Sequence, residues 1–237
     1  MKVIELSALV QKKKAILFDL FHTLIALELV PSGRPVTSDL LNVSHRSWST
    51  QLFENSRDRL VGKKRDPTSM VREMAHAIDP TISEEIIQIA ARNRVERFAE
   101  ALQSVSEDTL QVLCKLRALR KKVGLVSNAD VSEIAAWDRS PIAPMFDSTI
   151  FSCRVGYAKP EPDIYLKCIQ ELGVIPKQCV FVGDGASHEL EGARDLGITT
   201  VMVTSMIQHI ESDEILKRRQ HADYVIVQLQ ELVTNRL

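Results

Sequence analysis

The chain has 237 residues, of which 45% are hydrophobic and 26% are charged, and its formal net charge is −1 at pH 7. This composition is typical of a globular protein. The near-neutral balance excludes the strongly basic field that favours binding to nucleic acid or to an anionic membrane, so we expect neither partner.

Further features predict a soluble, cytoplasmic protein. No apolar run approaches the roughly 20 residues of a membrane span. The N-terminal stretch VIELSALV contains Glu5 and has neither a basic segment before it nor a clear cleavage site after it. The cysteines show no C-x-x-C pair and no zinc spacing with histidine, so we expect buried free thiols in a reducing compartment. They are Cys114, Cys153, Cys168 and Cys179.

The first predicted strand, AILF at 15–18, ends on Asp19. An uninterrupted apolar run of this length is typical of a strand that is buried on both faces of a sheet. A carboxylate at the carboxyl end of such a strand can be held at the mouth of the crevice where α/β proteins bind ligands. Asp19 is therefore a candidate nucleophile or metal ligand, and it opens a D-x-F-x-T frame with Phe21 and Thr23.

The next segment, 27–103, contains no convincing strand and three helical candidates. Their sequences are TSDLLNVSHRSWSTQLFENSRDRLV, DPTSMVREMAHAI and SEEIIQIAARNRVERFAEAL. Ser83 is followed by two acids, which predicts the N-cap of the third helix. We interpret 27–103 as a helical cap domain inserted into a core formed by residues 1–26 and 104–237.

After this insertion, short strands alternate with amphipathic helices. The strand candidates are KVGLVSN, VFVGD, TTVMVT and YVIV, and helices are predicted at 108–121 and 163–173. In the second helix Ile164, Cys168 and Leu172 form an apolar stripe that ends at a glycine. This alternation predicts an α/β fold with a doubly wound parallel sheet and right-handed crossovers.

Three more polar clusters fall at predicted strand ends or loops, in a definite order. Ser127 and Asn128 close KVGLVSN, Lys159 lies in GYAKPEPDIY, and Asp184 closes VFVGD. With the D-x-F-x-T frame, their order and spacing resemble the four motifs of the haloacid dehalogenase-like (HAD) hydrolase superfamily. The resemblance covers nearly the whole chain and is especially close in VGDGASHELEGARDLG. It implies a Rossmann-like core, and the helical insertion resembles the family's type-one cap.

The resemblance also implies the roles of these residues. Asp19 would attack phosphorus and carry an aspartyl-phosphate, while Lys159 would supply compact positive charge and shield Asp19 from the substrate. The substrate phosphate would be bound by Thr23, Ser127, Asn128 and Lys159. Mg²⁺ would be held by Asp19, the backbone carbonyl of Phe21, Asp184 and Glu189. The last of these replaces an aspartate and could hold a metal-bound water through its longer side chain.

One residue departs from the pattern of a typical HAD phosphatase. Phe21 stands where an acid usually protonates the leaving group, and this help is worth roughly 10²–10⁴-fold in rate. A phosphatase that acts on a small phosphorylated metabolite is the preferred interpretation, with a good leaving group or an acid borrowed from the cap or substrate. Substrate identity and oligomeric state stay open.

Three alternatives remain. A 2-haloacid dehalogenase also carries an aromatic residue at the position of Phe21, but that branch lacks the metal-binding acid that is present here as Asp184. A phosphonate-cleaving relative would need an imine-forming cap lysine, for which Lys63 and Lys64 are candidates. The last alternative is a HAD fold kept as a binding module with weak chemistry.

Overall fold

Six parallel strands form the central sheet of the protein, which we describe from a computed structural model of residues 2–27, 30, 32–54, 56–207 and 212–234. The strands are β1 (Ala15–Phe18), β2 (Lys122–Ser127), β3 (Ser148–Phe151), β4 (Cys179–Gly183), β5 (Thr199–Val203) and β6 (Tyr224–Ile226). They lie in the order β3-β2-β1-β4-β5-β6, and every neighbouring pair is parallel. The predicted doubly wound α/β fold is confirmed. The first strand lies in the middle, where Phe18 is in register with Leu125 and Val182.

Helices cover the sheet and fill the segment between β1 and β2. They are α1 (Lys2–Lys12), α2 (Thr37–Leu40), α3 (His45–Glu54), α4 (Arg57–Leu60), α5 (Pro67–Ile78), α6 (Glu84–Gln103), α7 (Glu107–Ala118), α8 (Ser152–Val155), α9 (Pro162–Leu172), α10 (Glu189–Asp195) and α11 (Asp213–Arg219). Short 3₁₀ turns lie at Trp137–Arg139, Ala143–Met145, Pro176–Gln178, Ala186–His188 and Leu229–Leu232. None of the helices formed by the described residues is long and apolar enough to cross a membrane.

Side chains of the central strand alternate between the two faces of the sheet, as the pleat requires. Ile16 and Phe18 belong to the hydrophobic cluster on the face covered by α1 and α7. Leu17 belongs to the cluster on the opposite face, with Tyr165 of α9 and Phe181 of β4. Because both faces are covered, the strand is apolar throughout and fully buried.

Several local predictions are confirmed. The predicted apolar stripe of α9 is buried, and Gly173 ends this helix in a left-handed conformation with φ 62°. Ser83 caps α6 by accepting a hydrogen bond from the backbone N–H of Ile86. The cysteines of the structure are free, and three of them are buried, but Cys114 is exposed on α7, so the expectation of four buried thiols is wrong at that position.

Other elements differ from the sequence-based assignment. Strand β3 is absent from the sequence-based assignment, because it is only four residues long. It is an edge strand that pairs with β2 alone. The helix at 2–12 is also not predicted, although Leu6 and Val10 are buried in the core. The first cap candidate is divided into three helices rather than one. Asn42 adopts φ 53° after α2, and asparagine tolerates this left-handed conformation better than most residues.

The helices between β1 and β2 have a hydrophobic cluster of their own. Trp48, Val71, Ala75 and Ile87 are buried in this cluster, which α2, α3, α5 and α6 share. A separate apolar centre of this kind is what a small inserted domain needs. We therefore propose that 27–103 forms the cap, as the sequence predicts.

A buried ionic cluster joins these helices to the loop that follows β2. Arg59 Nη1 donates to Asp130 Oδ2 at 2.6 Å, and Arg94 Nη2 donates to the same oxygen at 3.4 Å and to Glu133 Oε1 at 2.6 Å. Arg59 also donates to the carbonyl oxygen of Leu52 at 2.7 Å. Two guanidinium groups thus face two carboxylates, which offsets the cost of burying the charges. We call Arg59, Arg94, Asp130 and Glu133 the latch.

Close backbone packing accompanies the latch. A Cβ atom at Gly62 would lie 2.0 Å from the carbonyl oxygen of Cys153, so only glycine allows this approach between the end of α4 and α8. Nearby, Arg57 Nη1 contacts Glu161 Oε1 at 2.5 Å. These contacts all lie beyond the carboxyl ends of β1, β2 and β3, and the helices therefore cover that edge of the sheet.

We expect Asp130→Ala to lower the free energy of unfolding by about 3–5 kcal/mol, because it leaves the buried guanidinium of Arg59 without its carboxylate. The measurement is urea unfolding at pH 7 followed by circular dichroism. Glu84→Gln is the matched control, since it breaks an exposed ion pair with Arg72 and should have a much smaller effect. Equal and small decreases in the free energy of unfolding of both variants would contradict a stabilising role of the latch.

Candidate active site

Asp19 is fixed at the carboxyl end of the central strand. Its backbone N–H donates to the carbonyl oxygen of Val182 at 2.9 Å, which continues the pairing of β1 with β4. Its side chain is buried, and Thr23 Oγ1 donates to Asp19 Oδ2 at 3.3 Å. The chain then turns sharply, and the backbone N–H groups of Leu24 and Ile25 both donate to the carbonyl oxygen of Leu20. The turn holds the Asp19 carboxylate at the edge of the sheet.

Lys159 lies between two carboxylates. Its ammonium group donates to Asp19 Oδ1 and, at 2.5 Å, to Glu189 Oε2, and its side chain is only 2% exposed. Burial by itself would lower the pKa of Lys159, but the charges of Asp19 and Glu189 outweigh burial and raise this pKa. Lys159 is therefore a permanent positive charge against the candidate nucleophile.

The backbone of Lys159 is held by Asn128. Asn128 Nδ2 donates to the carbonyl oxygen of Lys159 at 3.0 Å, and the Lys159 backbone N–H donates to Asn128 Oδ1 at 2.7 Å. This pair of hydrogen bonds ties the end of β2 to the loop before α9. The Asn128 side chain thus positions Lys159. Because its amide oxygen and nitrogen are both used for this contact, Asn128 has little capacity left for its predicted role in binding phosphate.

Asp184 approaches Asp19 from the end of β4. Ligand oxygens of Asp19, Asp184 and Glu189 all lie within 4.8 Å of one another. Asp184 Oδ1 accepts from the backbone N–H of Ala186 at 2.9 Å, and Oδ2 accepts from Arg218 Nη1 at 3.2 Å. Burial, followed by the negative charge of Asp19, raises the pKa of Asp184.

Both oxygens of Glu189 have hydrogen-bond donors. Oε1 accepts from the backbone N–H of Gly185 at 3.0 Å, while Oε2 accepts from Lys159. A Cβ atom at Gly183 would lie 2.0 Å from Glu189 Oε1, so the glycine of the V-G-D sequence makes room for this carboxylate. Burial raises the pKa of Glu189 well above its usual range, against the opposing effect of Lys159.

The acidic cluster fits a hard divalent cation. Mg²⁺ prefers oxygen ligands and binds through one or two carboxylates while it keeps several waters. Two of the three carboxylates contact the Lys159 ammonium and the third pairs with Arg218, so negative charge remains in excess, and a divalent cation would offset it. The oxygens of all three carboxylates accept hydrogen bonds from the protein. Asp19 and Asp184 are the better placed ligands, because Asp184 can release Arg218, whose side chain is 22% exposed, whereas Glu189 holds Lys159, which is 2% exposed.

Ser127 offers a hydrogen-bonding group to a ligand. Its side chain is at the end of β2, next to β1, and it is fully buried. Its Oγ has no hydrogen-bond partner among the described residues. A buried hydroxyl in this state carries a desolvation cost that a bound phosphate oxygen would remove. The predicted phosphate-binding role of Ser127 is compatible with this geometry.

The ring of Phe21 packs against the covering helices. The ring is half-buried and meets Phe98 of α6 edge to face, with 5.3 Å between ring centroids. The guanidinium of Arg94 lies over the other aromatic ring, 4.8 Å from its centroid. Phe21 thus extends the hydrophobic contact between the nucleophile loop and the covering helices.

A cavity of about 530 Å³ lies between these helices and the sheet edge. Its floor includes Phe21, His22, Asn128 and Ser187, which are close in sequence to Asp19, Ser127 and Asp184. Apolar side chains of α3, α4 and α6 form much of its wall, together with Arg59, Arg94 and Arg97.

Sequence reasoning finds most of this cluster and misses some of its supports. Asp19, Thr23, Lys159, Asp184 and Glu189 come together as their positions at strand ends suggest. Arg218 and the latch are missed, because an arginine on an amphipathic helix gives no signal that distinguishes an ion pair with the site from a solvated position. Tyr165, whose hydroxyl donates to the carbonyl oxygen of Glu189 at 2.8 Å, is also missed, because a buried tyrosine on a helix gives no sign of the group that its hydroxyl contacts.

Comparisons with known proteins agree with this arrangement. Among curated proteins, the chain is similar to glyceraldehyde 3-phosphate phosphatase of Methanocaldococcus jannaschii, with 31% identity over 129 residues, which are 53% of each chain. It is also similar to bifunctional epoxide hydrolase 2 of Rattus norvegicus, with 34% identity over 115 residues, 46% of this chain and 21% of that protein. The matches thus span about half or less of the length of these relatives.

Solved structures are similar over nearly the whole chain. A HAD phosphatase from Thermococcus onnurineus has a TM-score of 0.59 and 27% identity, with coverage of 92% of this chain and 95% of that one. L-2-haloacid dehalogenase from Xanthobacter autotrophicus, with chloropropionic acid covalently bound, has a TM-score of 0.62 and 20% identity, with coverage of 93% and 97%. At that identity the second likeness concerns the fold alone.

A match to a family model shows which protein family includes this chain. The model of haloacid dehalogenase-like hydrolases matches residues 13–205, a range that begins before Asp19 and extends beyond Asp184 and Glu189. The match includes the central strand, the covering helices and the acidic cluster at the sheet edge. The chain is therefore a hydrolase that belongs to the haloacid dehalogenase-like family.

Proposed function

We propose that this protein is a Mg²⁺-dependent phosphatase that acts on a small phosphorylated substrate through an aspartyl-phosphate on Asp19. The observation that carries the proposal is the contact of the Lys159 ammonium with Asp19, with Asp184 close enough to share a cation. The names of relatives, glyceraldehyde 3-phosphate phosphatases of Methanocaldococcus jannaschii and Methanopyrus kandleri, support a phosphate ester of a small metabolite.

The residues divide the work of phosphoryl transfer. An Asp19 oxygen forms a bond to phosphorus while the bond to the leaving oxygen breaks, and water then attacks phosphorus to release phosphate and restore the carboxylate. Lys159 balances negative charge on the transferring oxygens, and Ser127 Oγ donates to one of them. Mg²⁺, held by Asp19, Asp184 and the carbonyl of Phe21, would neutralise further charge on the phosphoryl group. Thr23 orients the Asp19 carboxylate.

Glu189 takes a positioning role in this scheme. Its carboxylate accepts from Lys159, which also contacts Asp19, and it is itself fixed by the N–H of Gly185. As a metal ligand Glu189 would have to give up a contact with buried Lys159 or with Gly185, whereas Asp184 would give up only its contact with the partly exposed Arg218. Its predicted place in the metal set stays a prediction, and so does the cytoplasmic location.

The haloacid dehalogenase alternative has one observation in its favour. Phe21 is aromatic, and a halide needs no proton when it leaves. The buried cluster of Asp19, Asp184 and Glu189 weighs against it, because a metal-independent displacement has no use for a second carboxylate beside the nucleophile. Lys63 and Lys64 pair with Asp58 and Glu73 and are 70% and 41% exposed, which gives no support to an imine-forming role.

We expect Asp19→Asn to lower the kcat of Mg²⁺-dependent phosphate release by at least about 10³-fold, since an amide cannot serve as the nucleophile. Acetyl phosphate is the first probe, because its leaving group needs no proton, and glyceraldehyde 3-phosphate is the second. Asp138→Asn, which changes an exposed aspartate, is the control and should retain activity.

Two results would contradict this proposal. Phosphate release that persists in Asp19→Asn would contradict the aspartyl-phosphate. Phosphate release that persists in EDTA would contradict the requirement for Mg²⁺. Metal-independent chloride release from 2-chloropropionate, lost in Asp19→Asn, would establish the dehalogenase alternative instead.

Metal binding can be tested without turnover. We expect saturating Mg²⁺ to raise the melting temperature of the wild type, by a stabilisation of about 2.7 kcal/mol at 100 times Kd. Asp184→Asn should lose most of this shift, because it removes a ligand, while Glu189→Gln should retain it. Loss of the shift in Glu189→Gln with its retention in Asp184→Asn would reverse the two assignments.

We expect Gly183→Ala to destabilise the protein by about 1–3 kcal/mol, the usual cost of overpacking, and to lower kcat. The reason is that the new methyl group would displace the Glu189 carboxylate that positions Lys159. Thermal unfolding and phosphate release are the measurements. Gly33→Ala, where a Cβ would meet nothing within 4 Å, is the control, and equal behaviour of the two variants would contradict the steric constraint.

A further inference from the structure

The cavity above the site has room for much more than a phosphate group. Its volume of about 530 Å³ falls within the range of small-molecule sites. The floor continues the backbone of the catalytic loops, since Phe21 follows Asp19 by two residues and Asn128 follows Ser127 directly. A phosphate held beside Asp19 would therefore direct the rest of the substrate into this cavity.

The cavity wall that the organic part of the substrate would contact is largely apolar. Phe21 and Phe98 present adjoining aromatic rings, and Trp48, Leu52 and Leu60 add further apolar surface. The charges of Arg59 and Arg94 are already balanced by Asp130 and Glu133 in the latch. A flat apolar body gains more from this wall than a polyhydroxylated one, whose hydroxyl groups would lose hydrogen bonds to water.

Carboxyl groups in and near the cavity are engaged elsewhere. Glu133 is the one acid among the described residues of the lining, and its oxygens accept from Arg94 and from the backbone N–H of Asp130. Glu189 lies under Lys159 and is 1% exposed. Both oxygens of each group are thus held by donors, and Phe21 has no proton to give. Burial nevertheless raises the pKa of Glu133 to about 7, so an experiment must test Glu133 as a proton donor.

Two histidines also line the cavity. His45 is 74% exposed in its side chain, and its ring nitrogens contact Ser38 and Asp39. His22 is half-buried at the floor, beside Phe21. An experiment on the leaving group must therefore test whether His22 donates a proton to the leaving oxygen.

We propose that the substrate is an aryl phosphate, a monoester whose apolar aromatic body fills the cavity and whose oxygen leaves without a proton. The inference rests on the phosphatase function proposed above. The Asp19 oxygen bonds to phosphorus as the P–O(aryl) bond breaks, and the phenolate departs with the electron pair. Water then attacks the aspartyl-phosphate, which restores Asp19 and releases inorganic phosphate, and the protons of that water pass to the phosphate and to solvent.

The first test is the dependence of kcat/KM on the leaving group. Substituted phenyl phosphates of increasing phenol pKa are compared with an alkyl phosphate of similar size, all with Mg²⁺. We expect a steep dependence, with the alkyl ester at least about 10²-fold slower than 4-nitrophenyl phosphate, because no general acid assists. Phe21→Asp should flatten the series by supplying the acid, while Phe21→Leu, its apolar control, should leave it steep.

Outcomes that overturn the inference differ from those that overturn the function. A shallow series in the wild type overturns the inference, and if the series becomes steep in His22→Gln or in Glu133→Gln, the substituted residue is the proton donor. These results need only the wild type and variants outside the aromatic contact, so a failure of Phe21→Asp to fold does not affect them. Absence of Asp19-dependent release from acetyl phosphate and from all aryl phosphates would instead overturn the phosphatase function.

The second test measures how the cavity binds the organic part of the substrate when no reaction takes place. Benzylphosphonate and ethylphosphonate carry the same charged group and are compared as competitive inhibitors. We expect the benzyl compound to bind about tenfold or more tightly, since it buries more apolar surface in the cavity. Leu60→Asp should abolish the preference, and Ile175→Asp, a change at an exposed apolar residue, should leave it intact. Equal binding of the two phosphonates would overturn the aromatic substrate class.

Discussion

The ammonium group of Lys159, buried between the carboxylates of Asp19 and Glu189, is the interaction on which the rest of the site depends. A charge this deeply buried is tolerated only with opposite charges in contact. Each partner is placed by a different segment, because Asp19 ends β1, Glu189 begins α10, and Lys159 precedes α9. The ion group therefore forms only where these three segments are brought together by the pairing of the central strands.

The covering helices impose a second constraint. Their contact with the core combines a buried ionic cluster, a glycine that allows backbone approach, and an aromatic pair. Asp130 is central, since it accepts from two arginines of different helices. The same contacts shape the cavity, because Arg94 both closes the latch and lies over Phe98 in the wall. The groups that hold the covering helices in place also define the cavity beside them.

Many features could be predicted from the sequence for local reasons. The apolar run before Asp19 and the stripe of α9 are periodic signals, and Gly173 and Ser83 end or begin helices by their own backbone chemistry. Failures occur where local signals are weak or absent. The strand β3 is too short to show a pattern, the helix at 2–12 has mixed polarity, and the single helix predicted from residue 37 is interrupted at Asn42. Exposure of Cys114 depends on which side of α7 faces solvent.

The sequence by itself determined the fold class, the family resemblance and the identity of the strand-end residues, because these follow from order and periodicity along the chain. Only the tertiary structure decided what each residue contacts. It placed Asn128 on the backbone of Lys159 and Glu189 under its ammonium group, and it joined Arg59 and Arg94 to Asp130. It also placed Phe21 against Phe98, 77 residues away in sequence. Such pairings depend on the packing of distant segments, and no local pattern encodes them.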